Sequence, residues 1–305
     1  MTAAGRVHTP FEAPYRMAMG LSPMAPDEWL ELDGNRLADL REKRRLLAER
    51  HGDVFAATPG SEAAQDELLA LLAAYLVRHC PEAYRLSDGA LLLPELDESH
   101  ELAAPGMAPL DLAGRLVQED LCILQRREEA WHLTAASVCF PTRWNLGAKI
   151  GRPLAEIHAP VPGFGDKLAA PVALFFDRIR VDKPVWRLNW SLLDDPALFQ
   201  PGGHNRGAPR ADIDGDNAGE KVTLRVERQT LRRLPESGAV VFTIRIHRWP
   251  LSVLADRPEE ARRLREAMAS MPAGMRGYKS LGVLGAAVDE YLGRILAGPD
   301  GGTAA

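Results

Sequence analysis

Residues 222–249 read VTLRVERQTLRRLPESGAVVFTIRIHRW, and their alternation decides the fold class. Successive side chains of a strand point to opposite faces of a sheet. Over Val222–Leu234, Val222, Leu224 and Val226 fall on one face, and Thr223, Arg225, Glu227 and Gln229 on the other. Over Ala239–Trp249, Val240, Phe242, Ile244 and Ile246 alternate with Thr243, Arg245 and His247. The preceding segment Val185–Leu193 (VWRLNWSLL) repeats the pattern, with Trp186, Leu188, Trp190 and Leu192 set against Val185, Arg187, Asn189 and Ser191. Three strands with one apolar and one polar side each predict an antiparallel sheet. Periodicity alone favours a solvated polar face; the alternative is a covered face that forms a polarised pocket around a ligand.

Working outward, Trp131–Phe140 is strand-like and ends at Pro141. Trp144–Ile157 is expected as a helix in two pieces, broken at Gly151-Arg152-Pro153, with His158 directly after it and a turn-rich APVPGFG beyond. Leu168–Phe176, Pro258–Met271 and Tyr278–Leu296 are further helix candidates. Upstream, Asp27 to about Arg50 reads as a helix on which Leu30, Leu37, Leu40 and Leu47 share a face, its run Arg41–Arg45 being a solvated surface. Ser61-Glu62 opens a second helix, which ends at His79 before Pro81. Short apolar segments follow at Leu91–Leu93 and Leu116–Leu124, and the linker from Asp194 to Glu220 is long and rich in Gly, Asp and Asn. The fold class is therefore α+β, in three regions: an N-terminal arm and helical extension over 1–110, an α+β core with C-terminal helices over 111–298, and a disordered tail at 299–305.

The composition narrows the function. At 305 residues, 46% hydrophobic and 26% charged, the chain reads as a soluble globular protein. A net charge of −5 lacks the basic footprint of a nucleic-acid partner. Cys80, Cys122 and Cys139 are an odd, widely spaced set with no CxxC, so neither a disulfide framework nor an iron–sulfur site is expected, and a reducing cytoplasm fits. No signal peptide is visible, and no apolar run approaches the roughly 20 residues of a membrane span.

Longer motifs carry a family resemblance. They are MGLSP (19–23) with Trp29, LVQEDLCIL (116–124), SVCFPTRWNLGAKIGRPLAEIHAPVPGF (137–164), RLNWSLLDDPALFQP (187–201), LRVERQTLRRLPESGAVVFTIR (224–245) and MPAGMRGYKSL (271–281). Together they resemble the α subunit of haem-dependent oxidative N-demethylase, which acts on dimethylamine. The resemblance implies a haem-binding PAS-like sheet and a haem b iron that binds O2 beside a secondary amine. Oxidation of an N-methyl carbon then gives a carbinolamine that collapses to formaldehyde. It also implies electrons from NADPH through FMN and iron–sulfur groups on separate reductase subunits, which suits a chain with no dinucleotide fingerprint of its own.

On that reading His158 is the expected iron ligand, with His132, His247 and Cys139 as alternatives. Glu227 is expected to meet the amine or take its proton, Arg225 and Asn189 to orient oxygen, and Arg187 and Arg245 to meet the haem propionates. Gln118-Glu119-Asp120 is family-like and is expected to tie down a turn, while Trp186 and Trp190 belong to the core. The alternative function is a haem-binding sensor, or a scaffold without turnover.

Overall fold

The computed structural model describes residues 7–202 and 210–298, so the tail assigned to 299–305 lies outside the described residues. The first third of the chain contains β1 (Ser22–Pro23), α1 (Arg36–Glu49), α2 (His51–Val54), β2 (Phe55–Ala57) and α3 (Glu62–His79). It continues with β3 (Arg85–Ser87), β4 (Ala90–Leu93) and β5 (Glu98–Glu101), which pair as a small sheet, and α4 (Pro109–Leu116). Then come β6 (Asp120–Arg127), β7 (Ala130–Ser137), the short helices α5 (Leu154–Ile157), α6 (Phe164–Lys167) and α7 (Ala169–Arg178), and β8 (Val185–Leu193). The rest is α8 (Ala218–Lys221), β9 (Thr223–Arg233), β10 (Val240–Pro250), α9 (Pro258–Ser270), α10 (Ala273–Tyr278) and α11 (Leu281–Ala297).

The large sheet has the order β1-β8-β9-β10-β6-β7-β2, every pair antiparallel. The three strands read from alternation are present, β8 with the expected ends. Both edge strands come from the N-terminal third, so the region set apart as an extension is stitched into the sheet at its two edges.

Register overturns one expectation. Asn189 lies opposite Glu227, and Arg187 opposite Gln229, so β8 and β9 do share a polar row. In β10, however, Ile246 lies opposite Glu227 and Arg245 opposite Arg228. A strand's side-chain period is two, so the pairing register alone assigns each row to a face. Thr243, Arg245 and His247 therefore sit on the opposite face from Glu227, and the polar residues of the three strands are split between two faces.

Both faces are covered. On the face of Arg228 and Arg245, one end of the sheet packs Leu121, Ile123 and Val241 against Leu68, Leu72 and Leu76 of α3 and Leu112 and Leu116 of α4. The other end packs Trp190, Leu224 and Val226 against Leu264 and Met268 of α9 and Leu284 and Val288 of α11. On the Glu227 face, Cys122, Leu124, Leu133 and Leu231 pack against Phe176 of α7 and Ile179. Gly114 is required where α4 meets β7: a Cβ there would lie 2.1 Å from Ser137 Oγ.

Other local readings change for identifiable reasons. Trp144–Ile157 is a chain of turns ending in the single turn α5, because Gly151 adopts φ +76° and Pro153 supplies the cap, which leaves no continuous helical stretch. Leu30 precedes α1 and packs into the core from an irregular segment. The apolar segment Leu116–Leu124 divides into the end of α4 and the start of β6. In the basic run of α1, Arg45 is a surface partner of Glu42 and Glu49, but Lys43 is fully buried. Its ammonium donates to the Glu119 carbonyl and lies 3.7 Å from Asp120.

Gln118, Glu119 and Asp120 tie down far more than a turn. Gln118 donates to Asp33 and Asp39, Glu119 accepts the Glu31 amide at 3.0 Å, and Asp120 accepts the amides of Cys139 at 2.8 Å and Phe140 at 2.9 Å. Asp120 is 0% exposed, and truncating it strands two buried N–H donors and the Lys43 charge. Asp120→Ala is therefore expected to cost about 3–5 kcal/mol. It should appear as a lower urea midpoint at unchanged m-value.

Candidate functional site

The Glu227 face does not close against its cover: a cavity of about 630 Å³ lies between the sheet and the β7–β8 connection. That is within the roughly 300–1,000 Å³ of sites that hold cofactors and drug-sized ligands. Its walls take Leu124, Leu133 and Leu231 from the sheet, Phe164, Leu168 and Phe175 from the connection, Phe11, Tyr15 and Met17 from the N-terminal arm, and Tyr278 and Lys279 from the end of α10.

Glu227 is the polar hub. Its carboxylate accepts from Thr142 Oγ1 at 2.5 Å, Gln229 Nε2 at 2.7 Å and Asn189 Nδ2 at 3.2 Å. Lys279 stands behind Asn189, its Nζ on the Trp190 carbonyl at 2.5 Å and on Asn189 Oδ1 at 3.3 Å. Burial pulls the Lys279 ammonium down to about 8, with the nearby Glu227 charge acting the other way. Arg187 also lines the cavity; burial lowers its pKa against the pull of Glu227, and its Nε is buried with no hydrogen-bond partner among the described residues.

His158 lines the same cavity from the connection. It caps α5, where Leu154 O receives both its amide at 3.1 Å and its Nδ1–H at 2.8 Å. Its ring stacks on Phe164 at 4.6 Å and 13°. The bend that brings Phe164 under the ring runs through Gly163, at φ +76°. Burial lowers the His158 pKa below the ordinary histidine value, so the ring is neutral at pH 7. With Nδ1 committed to the carbonyl, the Nε2 lone pair is left for a metal, and the backbone acceptor orients the ring.

The remaining candidates lie elsewhere. Arg225 is buried and absent from the cavity lining; its guanidinium is spent on Thr142 Oγ1 and on the carbonyls of Phe140, Ala197 and Leu198. It holds Thr142, which in turn holds Glu227. Arg245 is on the other face, bound to Asp33 at 2.7 Å and to the Ile246 carbonyl at 2.6 Å, so it cannot meet a group in this cavity. His132 and Cys139 line none of it, and burial pushes the Cys139 thiol up to about 12, away from a thiolate ligand. His247 shares the face of Arg245.

Residues that alternation could not reveal complete the site: Thr142, Lys149, Lys279 and the arm. Lys149 and Thr142 lie in the motif 137–164 and Lys279 in 271–281, so the signal was present in the idiosyncratic motifs rather than in any periodicity. The donor set suits haem: an imidazole with one nitrogen unpartnered among the described residues, apolar walls for a macrocycle, and a buried arginine nitrogen that likewise has no partner among them. The model of one protein family, described as haem-dependent oxidative N-demethylase, alpha subunit-like, matches residues 20–289.

The Lys279 environment has a measurable consequence. Its pKa is lower in the folded chain than the ordinary 10.5, so between pH 8 and 10.5 the unfolded chain binds more protons and stability rises with pH. The rise from this group amounts to about 3 kcal/mol. Urea unfolding across that range should show this component in the wild type and not in Lys279→Met.

Proposed function

The chain belongs to this haem-dependent oxidative N-demethylase α-subunit-like family, and on that premise we propose that it is the haem-carrying subunit of an oxidative amine demethylase. The single observation that carries the reading is that His158, its Nε2 without a partner among the described residues, and the Glu227–Asn189–Thr142 cluster line one cavity. Among the five strands of the large sheet that follow residue 111, numbered from the first, the order is 2-1-5-4-3, with the helical connection between the second and third. That arrangement, with the cavity between sheet and connection, supports a PAS-like core.

His158 Nε2 would hold the iron, and Arg187, with its unsatisfied Nε, would face a propionate. Haem, when bound, supplies the oxidising chemistry that turns an N-methyl group into a carbinolamine, which releases formaldehyde. The polar end of the cavity then has to bind and orient the amine. Glu227 is the acceptor for an ammonium or amine N–H, and its three neutral donors position it without neutralising it. Asn189 reaches both Glu227 and Lys279 and is suited to orient a small polar ligand between them. Arg225 acts through Thr142 as a positioning residue. Phe11, Phe164, Leu168 and Phe175 exclude water, which strengthens these contacts. A secondary amine such as dimethylamine matches the Glu227 carboxylate set among apolar side chains of the cavity, and electrons would come from separate reductase chains. No helix of the described residues is long and apolar enough to cross a membrane.

Two experiments test the reading. The visible spectrum of the purified wild type should contain a Soret band that is lost or shifted in His158→Ala; a band indifferent to that change moves the ligand elsewhere, and no band after haem reconstitution overturns the assignment. In haem-loaded protein, dimethylamine should perturb the wild-type spectrum. Glu227→Gln is expected to weaken that response by about 10- to 100-fold, the loss of about 1.5–3 kcal/mol from one hydrogen bond to a charged group, with the Soret band retained.

A further inference from the structure

On the sheet face opposite the cavity, three metal-ligating side chains converge from segments far apart in sequence. His8 from the arm, Glu31 from the segment before α1, and His247 from β10 each present one ligand atom, all within 4.8 Å of one another. His247 Nε2 lies 2.9 Å and His8 Nε2 3.4 Å from the same oxygen, Glu31 Oε2. In a tetrahedral zinc site with bonds of about 2.0–2.1 Å, ligand atoms sit roughly 3.3 Å apart along each edge. Two edges of that tetrahedron are thus already close to length. Both histidines are buried, at 5% and 8% exposure, which shields the point from bulk water.

We infer that His8, Glu31 and His247 form a divalent-cation site of the zinc class, with three protein ligands and one position for water, which clasps the N-terminal arm to the sheet.

The surroundings hold the ligands in place. Arg228 Nε binds the other Glu31 oxygen at 3.1 Å, leaving Oε2 for the ion. The His247 ring is stacked on Trp249 at 5.6 Å and 6°, and its Nδ1 faces Asp33 Oδ2 at 3.8 Å, within reach of the carboxylate–histidine pairing that orients metal-bound imidazoles. Arg228 and Arg245 bring positive charge to the rim, and Asp33 and Asp39 offset it. Without an ion both imidazoles can share Glu31 Oε2 by donating Nε2–H; an ion would take the place of those hydrogens, each ring then carrying its proton on Nδ1. The site is independent of the haem reading, yet it bears on the cavity. Thr9, Phe11, Tyr15 and Met17, which follow His8, form part of the cavity wall, and Phe11 meets Trp190 edge-on at 5.5 Å. Fixing His8 fixes the start of that wall.

The test uses the full chain stripped with a chelator and titrated with Co2+. Tetrahedral ligand-field bands should grow to saturation at a single equivalent and be displaced by Zn2+. His8→Ala should weaken binding by more than the roughly 10–100-fold that follows the loss of a group merely hydrogen-bonded to a ligand. His8 is in the arm, so this variant keeps the test valid should His247→Ala not fold. Metal should also slow proteolysis of the arm in the wild type and leave His8→Ala unaffected, while His158→Ala should titrate like the wild type. Absence of the bands, or equal binding by His8→Ala, would overturn the assignment.

Discussion

Strand β9 carries charge on both of its faces, and both faces are covered. Arg225 and Glu227 point one way and Arg228 the other, each at 9% exposure or less. Buried charges persist only when partners replace the water they lose, and meeting that requirement organises the molecule around this strand. Arg228 is met by the carbonyls of Glu28 and Trp29, by Glu31 and by the Trp186 ring. One strand over, Arg245 is met by Asp33 and Asp39. The segment from Glu28 to Asp39 is thereby held on that face by two arginines. The N-terminal third consequently covers part of that face, and its strands β1 and β2 complete the sheet at either edge.

The other face solves the same problem differently. Arg225 is satisfied almost wholly by backbone carbonyls of the loops after β7 and β8, so it staples those loops down and leaves no hand for a ligand. Glu227, two residues on, is hydrogen-bonded among the described residues by neutral side chains, with Lys279 and Arg187 near enough to feel its charge. A carboxylate held by neutral donors beside cations that burial destabilises is the arrangement on which the proposed amine site rests. The short helices of the β7–β8 connection bring His158 to the same space, and the turn at Gly163 seats Phe164 under its ring.

The fold separates two histidines that the sequence offered as first and as alternative iron ligand. His158 enters the cavity with one nitrogen committed, whereas His247 lies behind the sheet beside His8 and Glu31. The arm links the two places, starting at His8 on one face and contributing Phe11, Tyr15 and Met17 to the wall of the cavity.

Much of this was legible in the residues alone. Alternation over 185–193 and 222–249 determined that three strands exist and which side chains share a face within each, because a strand's period of two is a local property. The motif around His158 marked the ligand candidate, and Glu227, Asn189 and Arg187 proved to share one cavity. Only the tertiary structure decided how the rows of different strands align. Register depends on pairing partners, and a shift of one residue moves Arg245 from the Glu227 face to the other. It also decided that Arg225 is satisfied by loop carbonyls, that Lys43 is buried, and that Thr142, Lys279 and the arm close the site, since these depend on contacts such as those between residues 76 to 90 positions apart meeting in space. Local chemistry determined which groups exist; their neighbours determined what those groups are free to do.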